Sequence, residues 1–333
     1  MRVVVIGLGR IGSTFDDDPK RKLVATHCGA YSALAATELV AVADDDAGRL
    51  AIGSARWGVD AAYSDARTML AEVRPDIVSI ATHADSHLDL VRASIEAGAR
   101  GIWCEKPIAG NAKAAREMVQ LCETNGVVLQ IDHQRRFDPI HRTLRDWVAN
   151  GGLGQLQHAY FLYTAGAANT GTHLLDLLRW FFGDVQWVEG RYSANLSPSP
   201  DDPNIDAVLQ FTSGLRVNID AYDVKRFLVF DLDIVGSTGR LLIARSGNEF
   251  RFEDVRDSTV FSGCSELARA ELPISLPEPV SQMVEGAREL VTCVETNRAS
   301  VSSGRDGLAA LELVLALRQS AENDGARIAL PLD

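Results

Sequence analysis

The 333-residue sequence predicts an α/β protein of two domains: a parallel sheet wound with helices, then an α/β domain with an open, mainly antiparallel sheet. Three observations predict it. Short apolar runs alternate with helix-period segments through the first 131 residues, the pattern of a parallel sheet with crossover helices. The first run enters a glycine-rich loop directly. From Ala207 on, apolar runs follow one another with turn residues but no helical period between them. At roughly 150 residues per domain the length allows two, and the pattern divides them at 1–131 and 132–333.

Composition narrows the partners. A net charge of -12 argues against nucleic acid or an anionic membrane surface. No apolar run approaches the ~20 residues of a membrane span. Met1-Arg2-Val3-Val4-Val5-Ile6 leads straight into a strand, which is not the pattern of a signal peptide. The five cysteines (28, 104, 122, 264, 293) form no CxxC pair and no metal spacing, so they read as reduced thiols of a cytoplasmic protein, mostly core filler.

Val3-Val4-Val5-Ile6 is a continuous β-branched run, as in a strand buried on both faces. Gly7-Leu8-Gly9-Arg10-Ile11-Gly12 follows at once. In this context the first glycine permits a tight turn, the second lets a pyrophosphate approach the backbone, and the third allows close helix–sheet packing. This is the signature of a Rossmann dinucleotide-binding domain. The second strand, Leu39-Val40-Ala41-Val42-Ala43, ends at Asp44. An acidic side chain there accepts hydrogen bonds from the adenosine ribose and repels a 2′-phosphate, favouring NAD over NADP. The run Asp44-Asp45-Asp46 also suits a solvated acidic turn. Gly12 and Asp44 lie 32 residues apart, more than the usual ~20. The polar stretch from Ser13 to Lys22 accounts for the excess as a loop, with helix resuming through Ala30, Leu34 and Ala35.

Gly101-Ile102-Trp103-Cys104 and Val78-Ser79-Ile80-Ala81-Thr82 read as buried strands flanking a helical pattern at Leu88, Val91 and Ile95. Ligands of open parallel sheets bind beyond the carboxyl ends of the strands, so Lys106 points at that crevice. Pro107 turns the chain away. Glu105 is placed to orient the ammonium or tune its ionisation. Beyond Thr82, His83 and His87 are spaced i, i+4, but no acidic or cysteine partner stands at a compatible spacing. They are expected to cap the next helix or contact the nicotinamide ribose, not to bind metal. After the strand Val127-Val128-Leu129-Gln130-Ile131, Arg135 and Arg136 again fall at the crevice end. They suit a polar or anionic substrate group, or equally a domain hinge.

In the second domain, the segment from Asn169 to Gly183 is helical with a leucine-rich face. Asn169, His173 and Asp176 stand at i, i+4 and i+7 and are expected to share the opposite face. Two amphipathic helices, 280–295 and 305–322, close the chain.

Taken in order, these pieces resemble the Gfo/Idh/MocA family of glucose-fructose oxidoreductase and inositol dehydrogenase: the glycine loop, the acidic end of strand two, the strand from Asp76 to Thr82 with His87, Glu105-Lys106-Pro107, Arg136-Phe137, His173 and Asp176 with Arg179-Trp180, and Gly304-Arg305-Asp306-Gly307-Leu308. The resemblance implies an NAD(P)-dependent oxidoreductase moving a hydride between nicotinamide and a ring alcohol or ketone of a sugar, nucleotide sugar or cyclitol. It implies a homodimer or homotetramer assembled through the open sheet. Lys106 matches the family's catalytic lysine and His173 its catalytic histidine, with Asn169, Asp176, Arg135 and Arg136 on the substrate. Gly7, Gly9, Arg10, Ile11, Gly12 and Asp44 would hold the cofactor, joined by Thr82, His83, His87, Glu105 and Lys106. Many members carry an aspartate where this chain has Asn169, and His83 stands where proline is common.

An imidazole with a reference pKa of ~6.5 suits a general base at neutral pH, and an ammonium suits charge developing on oxygen. Two other readings remain open from the residues: a reductase of a non-sugar carbonyl or imine, and an NAD-loaded sensor without turnover.

Overall fold

The computed structural model describes residues 1–332. The chain forms two compact units: Met1–Pro139 with Glu278–Leu308, and Ile140–Pro277 with the residues from Ala309 on.

The first unit is a six-stranded parallel sheet: β1 (Arg2–Ile6), β2 (Glu38–Ala43), β3 (Ala62–Tyr63), β4 (Ile77–Ile80), β5 (Gly101–Cys104) and β6 (Val128–Ile131), in the order β3-β2-β1-β4-β5-β6. That order reverses at β1/β4, whose parallel register pairs Ile6 with Ile80. Every residue of β4 and β5 is buried, which explains their unbroken apolar runs. Helices α1 (His27–Ser32), α2 (Ala47–Trp57), α3 (Ala66–Val73), α4 (His87–Glu96) and α5 (Ala112–Thr124) connect the strands. Thr26, Asp46, Asp65 and Asn111 cap four of them by accepting the backbone N–H three residues on.

The unit is completed by a segment from the far end of the sequence, so its boundary departs from the single division expected at residue 131. Helix α8 (Gln282–Thr296) contributes Met283, Ala287, Leu290 and Val291 to a core shared with Val3, Val5, Tyr31, Trp103 and Phe137. A Cβ on Gly286 would lie 2.8 Å from the Trp103 ring, so the missing side chain lets the helix approach that close. Arg136, 4% exposed, ties the same segment down: one Nη donates to the Val301 carbonyl at 3.0 Å and the other pairs with Asp306 at 3.2 Å. Asp306 and Ser303 exchange side-chain and backbone hydrogen bonds in a capping box.

The second unit holds a nine-stranded sheet: β7 (Leu156–Thr164), β8 (Val185–Tyr192), β9 (Ile205–Phe211), β10 (Arg216–Tyr222), β11 (Phe230–Gly236), β12 (Gly239–Ala244), β13 (Glu249–Asp257), β14 (Ser265–Ala270) and β15 (Ile328–Ala329). The order is β14-β13-β12-β11-β7-β10-β9-β8-β15, antiparallel except between β7 and β10. Ser213-Gly214 makes the expected turn between β9 and β10, with Gly214 at φ +90°. Strands β9 and β11 alternate buried and half-buried residues, one face feeding the core. Helices α6 (Pro139–Ala149) and α7 (Gly171–Phe182) cover that core, with α7 contributing Leu174, Leu175, Leu177, Leu178, Phe181 and Phe182. The last long helix, α9, spans Gly304–Glu322.

Candidate active site

The glycine loop meets the steric demands of its sequence. Gly7 has φ +92°, and a Cβ there would lie 2.6 Å from the Ala81 carbonyl oxygen. A Cβ on Gly12 would lie 2.0 Å from the Gly7 oxygen. Gly9, by contrast, faces open space, with nothing within 4 Å of the point a Cβ would occupy. Residues Arg10–Thr14 then form one wide, π-type turn in which the Ser13 and Thr14 N–H groups both reach the Gly9 carbonyl. Ile11 packs on the core, while Arg10 is exposed with its guanidinium 4.5 Å from the Phe15 ring.

The long spacing from Gly12 to Asp44 resolves into a closed excursion. Asp16 accepts the Ala25 N–H at 2.6 Å and the Thr26 hydroxyl at 2.5 Å, so residues 17–24 leave and re-enter at one point before α1 starts. Asp17 pairs with Arg56, and the Trp57 indole donates to the Ser13 hydroxyl at 2.9 Å.

Asp44 ends β2 with a buried carboxylate. It accepts the N–H groups of Leu8 at 2.7 Å and Asp46 at 2.9 Å, and the Arg49 guanidinium at 2.8 Å. Burial opposes its ionisation, but Arg49 and the two backbone donors outweigh that and hold the carboxyl below the usual range. Open backbone at Gly9 and a fixed negative charge at the end of the neighbouring strand fit a dinucleotide, the first for pyrophosphate and the second for a ribose.

The other strand ends divide into outward and inward groups. Thr82 is half-buried and bonds the Ser86 hydroxyl at 2.7 Å; His83 is exposed. His87 is fully buried, with Nδ1 3.0 Å from the Ile108 carbonyl and Nε2 3.1 Å from that of Thr82. It braces the loop after β4 against the loop after β5, a different position from the expected ribose contact, and burial lowers its pKa. Lys106 is half-buried at the end of β5. Glu105 turns inward instead: it is 6% exposed, with Oε1 3.2 Å from His27 Nε2 and Oε2 accepting the Lys106 N–H at 3.2 Å. Arg135 is half-buried on the short turn Gln134–Arg136. Arg136 departs from the expected substrate role, because its guanidinium is buried against Asp306 and Val301.

In the second unit, β7 ends in two left-handed residues, Ala165 (φ +70°) and Gly166 (φ +92°). The segment Gly166–Thr170 forms a second π-type turn, and α7 begins only at Gly171. Asn169 therefore precedes the helix, and only His173 and Asp176 of the expected stripe lie on it. His173 is half-buried, Asp176 is buried and Asn169 is exposed. The turn is held from a proline-rich loop between β8 and β9, which contains Pro198, Pro200 and Pro203. Asp202 accepts the N–H groups of Ala168 at 2.7 Å and Asn169 at 2.8 Å, Asn204 accepts that of Gly166 at 2.8 Å, and Arg318 donates to Asp202 at 3.0 Å. Nothing local in the sequence marks Asp202 or Asn204 for this task; an aspartate and an asparagine flanking Pro203 are the sole hint.

Residues 1–133 match the model described as oxidoreductase family, NAD-binding Rossmann fold, and residues 163–242 match the GFO/IDH/MocA C-terminal domain. The D-apiose dehydrogenase of Paraburkholderia graminis is 28% identical over 89% of this chain and 84% of its own length. The inositol 2-dehydrogenase of Acidothermus cellulolyticus is 27% identical over 100% and 96%. The WlbA dehydrogenase of Bordetella pertussis, solved with NADH and UDP-GlcNAcA, superposes with a TM-score of 0.79 at 21% identity, covering 100% of this chain and 99% of that one.

Proposed function

The chain belongs to the Gfo/Idh/MocA family of oxidoreductases, and we propose that it oxidises a secondary alcohol on the ring of a sugar, cyclitol or nucleotide sugar. Relatives named for inositol and D-apiose support that substrate class. The observation that carries the reading is the setting of His173. It is a half-buried imidazole between an exposed amide and a buried carboxylate, on a helix otherwise given over to the core.

NAD, when bound, accepts a hydride at its nicotinamide ring. The protein must then remove the hydroxyl proton and stabilise the charge left on oxygen. His173 takes the proton as general base, and the Lys106 ammonium stabilises the developing alkoxide. Asn169 has no proton to exchange in this range, so it positions a substrate hydroxyl, a task we also give to Asp176 and Arg135. Gly9, Arg10 and Ile11 receive the pyrophosphate, while Gly7 and Gly12 shape the loop. Asp44 holds the ribose and disfavours NADP. Thr82 and His83, at the open end of β4, are the further nucleotide contacts.

A cytoplasmic setting fits an NAD-using protein whose five cysteines are thiols; no described helix is long and apolar enough to cross a membrane. Exposed apolar residues at the sheet edge, Val255, Val260, Phe261 and Leu267, support a homodimer or homotetramer, testable by light scattering.

The deciding experiment is NADH formation across a panel of cyclitols, free sugars and nucleotide sugars. Turnover with one of these classes is expected. Turnover confined to imines or non-sugar carbonyls, or NAD binding with no turnover at all, overturns the reading.

A further inference from the structure

Where β5 and β6 end, three titratable side chains meet away from solvent. Ligating atoms of His27, Glu105 and Asp132 all lie within 4.8 Å of one another, and the residues are 0%, 6% and 0% exposed. His27 Nδ1 sits 2.6 Å from the Ser79 hydroxyl, and its Nε2 faces Glu105. Asp132 Oδ2 accepts the Gln134 amide at 3.0 Å. Its Oδ1 is buried, with no N–H or hydroxyl donor among the described residues.

Two ionised carboxylates cannot share such a site without a compensating charge. His27 does not supply it. Burial pulls its pKa down to about 4, against a smaller upward pull from Asp132, so the ring is neutral near pH 7. A neutral ring also fits the bonds: the Ser79 hydroxyl donates to Nδ1, and Nε2–H donates to Glu105. Tyr31 on α1 and Cys104 on β5 feel the pair and are kept neutral by burial. Lys106 is the cation whose field reaches Glu105. The two carboxyls come within 4.8 Å of one another, and a proton on one of them would give Asp132 Oδ1 the donor it otherwise lacks.

We infer that Glu105 and Asp132 hold one proton between their carboxyls in the resting protein, and that this pair, braced by His27, is the positioning and charge-setting group for Lys106. The catalytic part rests on the reading of Lys106 given above; the shared proton does not. The pair carries a single negative charge, divided between an acid bonded to the Lys106 backbone and one set further back. Moving that charge changes how strongly the ammonium is favoured. Asp132→Asn leaves the whole charge on Glu105, next to Lys106. Glu105→Gln leaves it on Asp132.

The test has two readouts on the purified full-length protein. Infrared spectra at neutral pH should contain the carbonyl stretch of a buried protonated carboxyl, lost in both Asp132→Asn and Glu105→Gln. A wild-type spectrum without that band, or a band persisting in both variants, overturns the shared proton. So does a stoichiometric divalent metal found by elemental analysis and lost in Asp132→Asn, since the same three donors would then be ligands. The second readout is the pH profile of kcat/KM with the substrate found by the panel. The alkaline limb should move to higher pH in Asp132→Asn and to lower pH in Glu105→Gln, by several tenths of a pH unit or more. A merely structural role would lower both rates without moving the limb in opposite directions. If the infrared band behaves as expected but Lys106→Ala keeps full activity, the role of Lys106 fails and the proton stands.

Discussion

Asn169 donates its backbone N–H to the Asp202 carboxylate at 2.8 Å, two residues before the helix that carries His173 begins. The same carboxylate takes Ala168 and Arg318, so one side chain from a proline-rich loop fixes the start of α7. Asp202→Ala leaves two backbone donors and a guanidinium without this acceptor. Each lost hydrogen bond to a charged group is worth about 1.5–3 kcal/mol. We expect turnover to fall by ~10-fold or more while the KM for NAD stays within about twofold, because the nucleotide loop lies in the other compact unit. Steady-state kinetics with both substrates varied would check the split.

Substituting the two proposed catalytic groups gives the most direct measurement. His173→Ala and Lys106→Ala should each lower kcat by ~10²-fold or more, the usual contribution of a positioned acid–base group. NAD binding by His173→Ala, followed by nicotinamide fluorescence of NADH, should remain near wild type. Near wild-type rates in both variants would remove the role assignment.

Asp44 is the test of nucleotide choice. Asp44→Asn keeps the size but removes the fixed charge that Leu8 and Arg49 hold in place. The KM for NAD should rise ~10-fold, about 1.4 kcal/mol, and the preference for NAD over NADP should shrink. Arg49 loses its closest ion pair in this variant, keeps those with Asp45 and Asp46, and is freer to meet a 2′-phosphate. An unchanged NAD/NADP ratio would show that Asp44 does not read the ribose.

Stability should carry the mark of the buried acids. Burial raises the pKa of both Glu105 and Asp132, with each acid's partner adding to or moderating the effect. The folded protein therefore binds more protons than the unfolded chain once pH exceeds the ordinary carboxylate range near ~4. Stability then falls as pH rises, by about 1.4 kcal/mol per pH unit for one such proton, until the folded group itself ionises. Asp132→Asn removes this penalty. Its unfolding midpoint should exceed wild type at pH 8, and the gap should close toward pH 4. Thermal melts over that range measure it, and an equal gap at all pH values would contradict it.

Much of the first unit is legible in the sequence because its constraints are local. β1, β4 and β5 are buried on both faces and so appear as unbroken apolar runs. Gly7 and Gly12 stand where any side chain collides with backbone, which makes their spacing diagnostic. Other features are set by distance in space. Helix α2 leaves only Gly53 buried, so no apolar stripe announces it. Strands β13 and β14 read as charged segments because they lie at the sheet edge, with Glu253 supporting Arg240 on the neighbouring strand. The meeting of His27, Glu105 and Asp132 joins three segments 78 and 27 residues apart and leaves no periodic trace. The candidate site divides in the same way. Lys106 and His173 stand out from their neighbours, but Asn169 looked helical because its spacing is helical. The left-handed pair Ala165-Gly166 and the Asp202 anchor delay the helix past it.

The clasp at Asp16 has a practical consequence. Because it gathers both ends of the 17–24 excursion, the length of chain beyond it matters little: closing a longer loop between fixed ends adds only about 0.6 kcal/mol per doubling. The tip around Pro19 and Lys20 is accordingly a place to graft a peptide tag or fluorophore beside the nucleotide loop while the parallel sheet keeps its register.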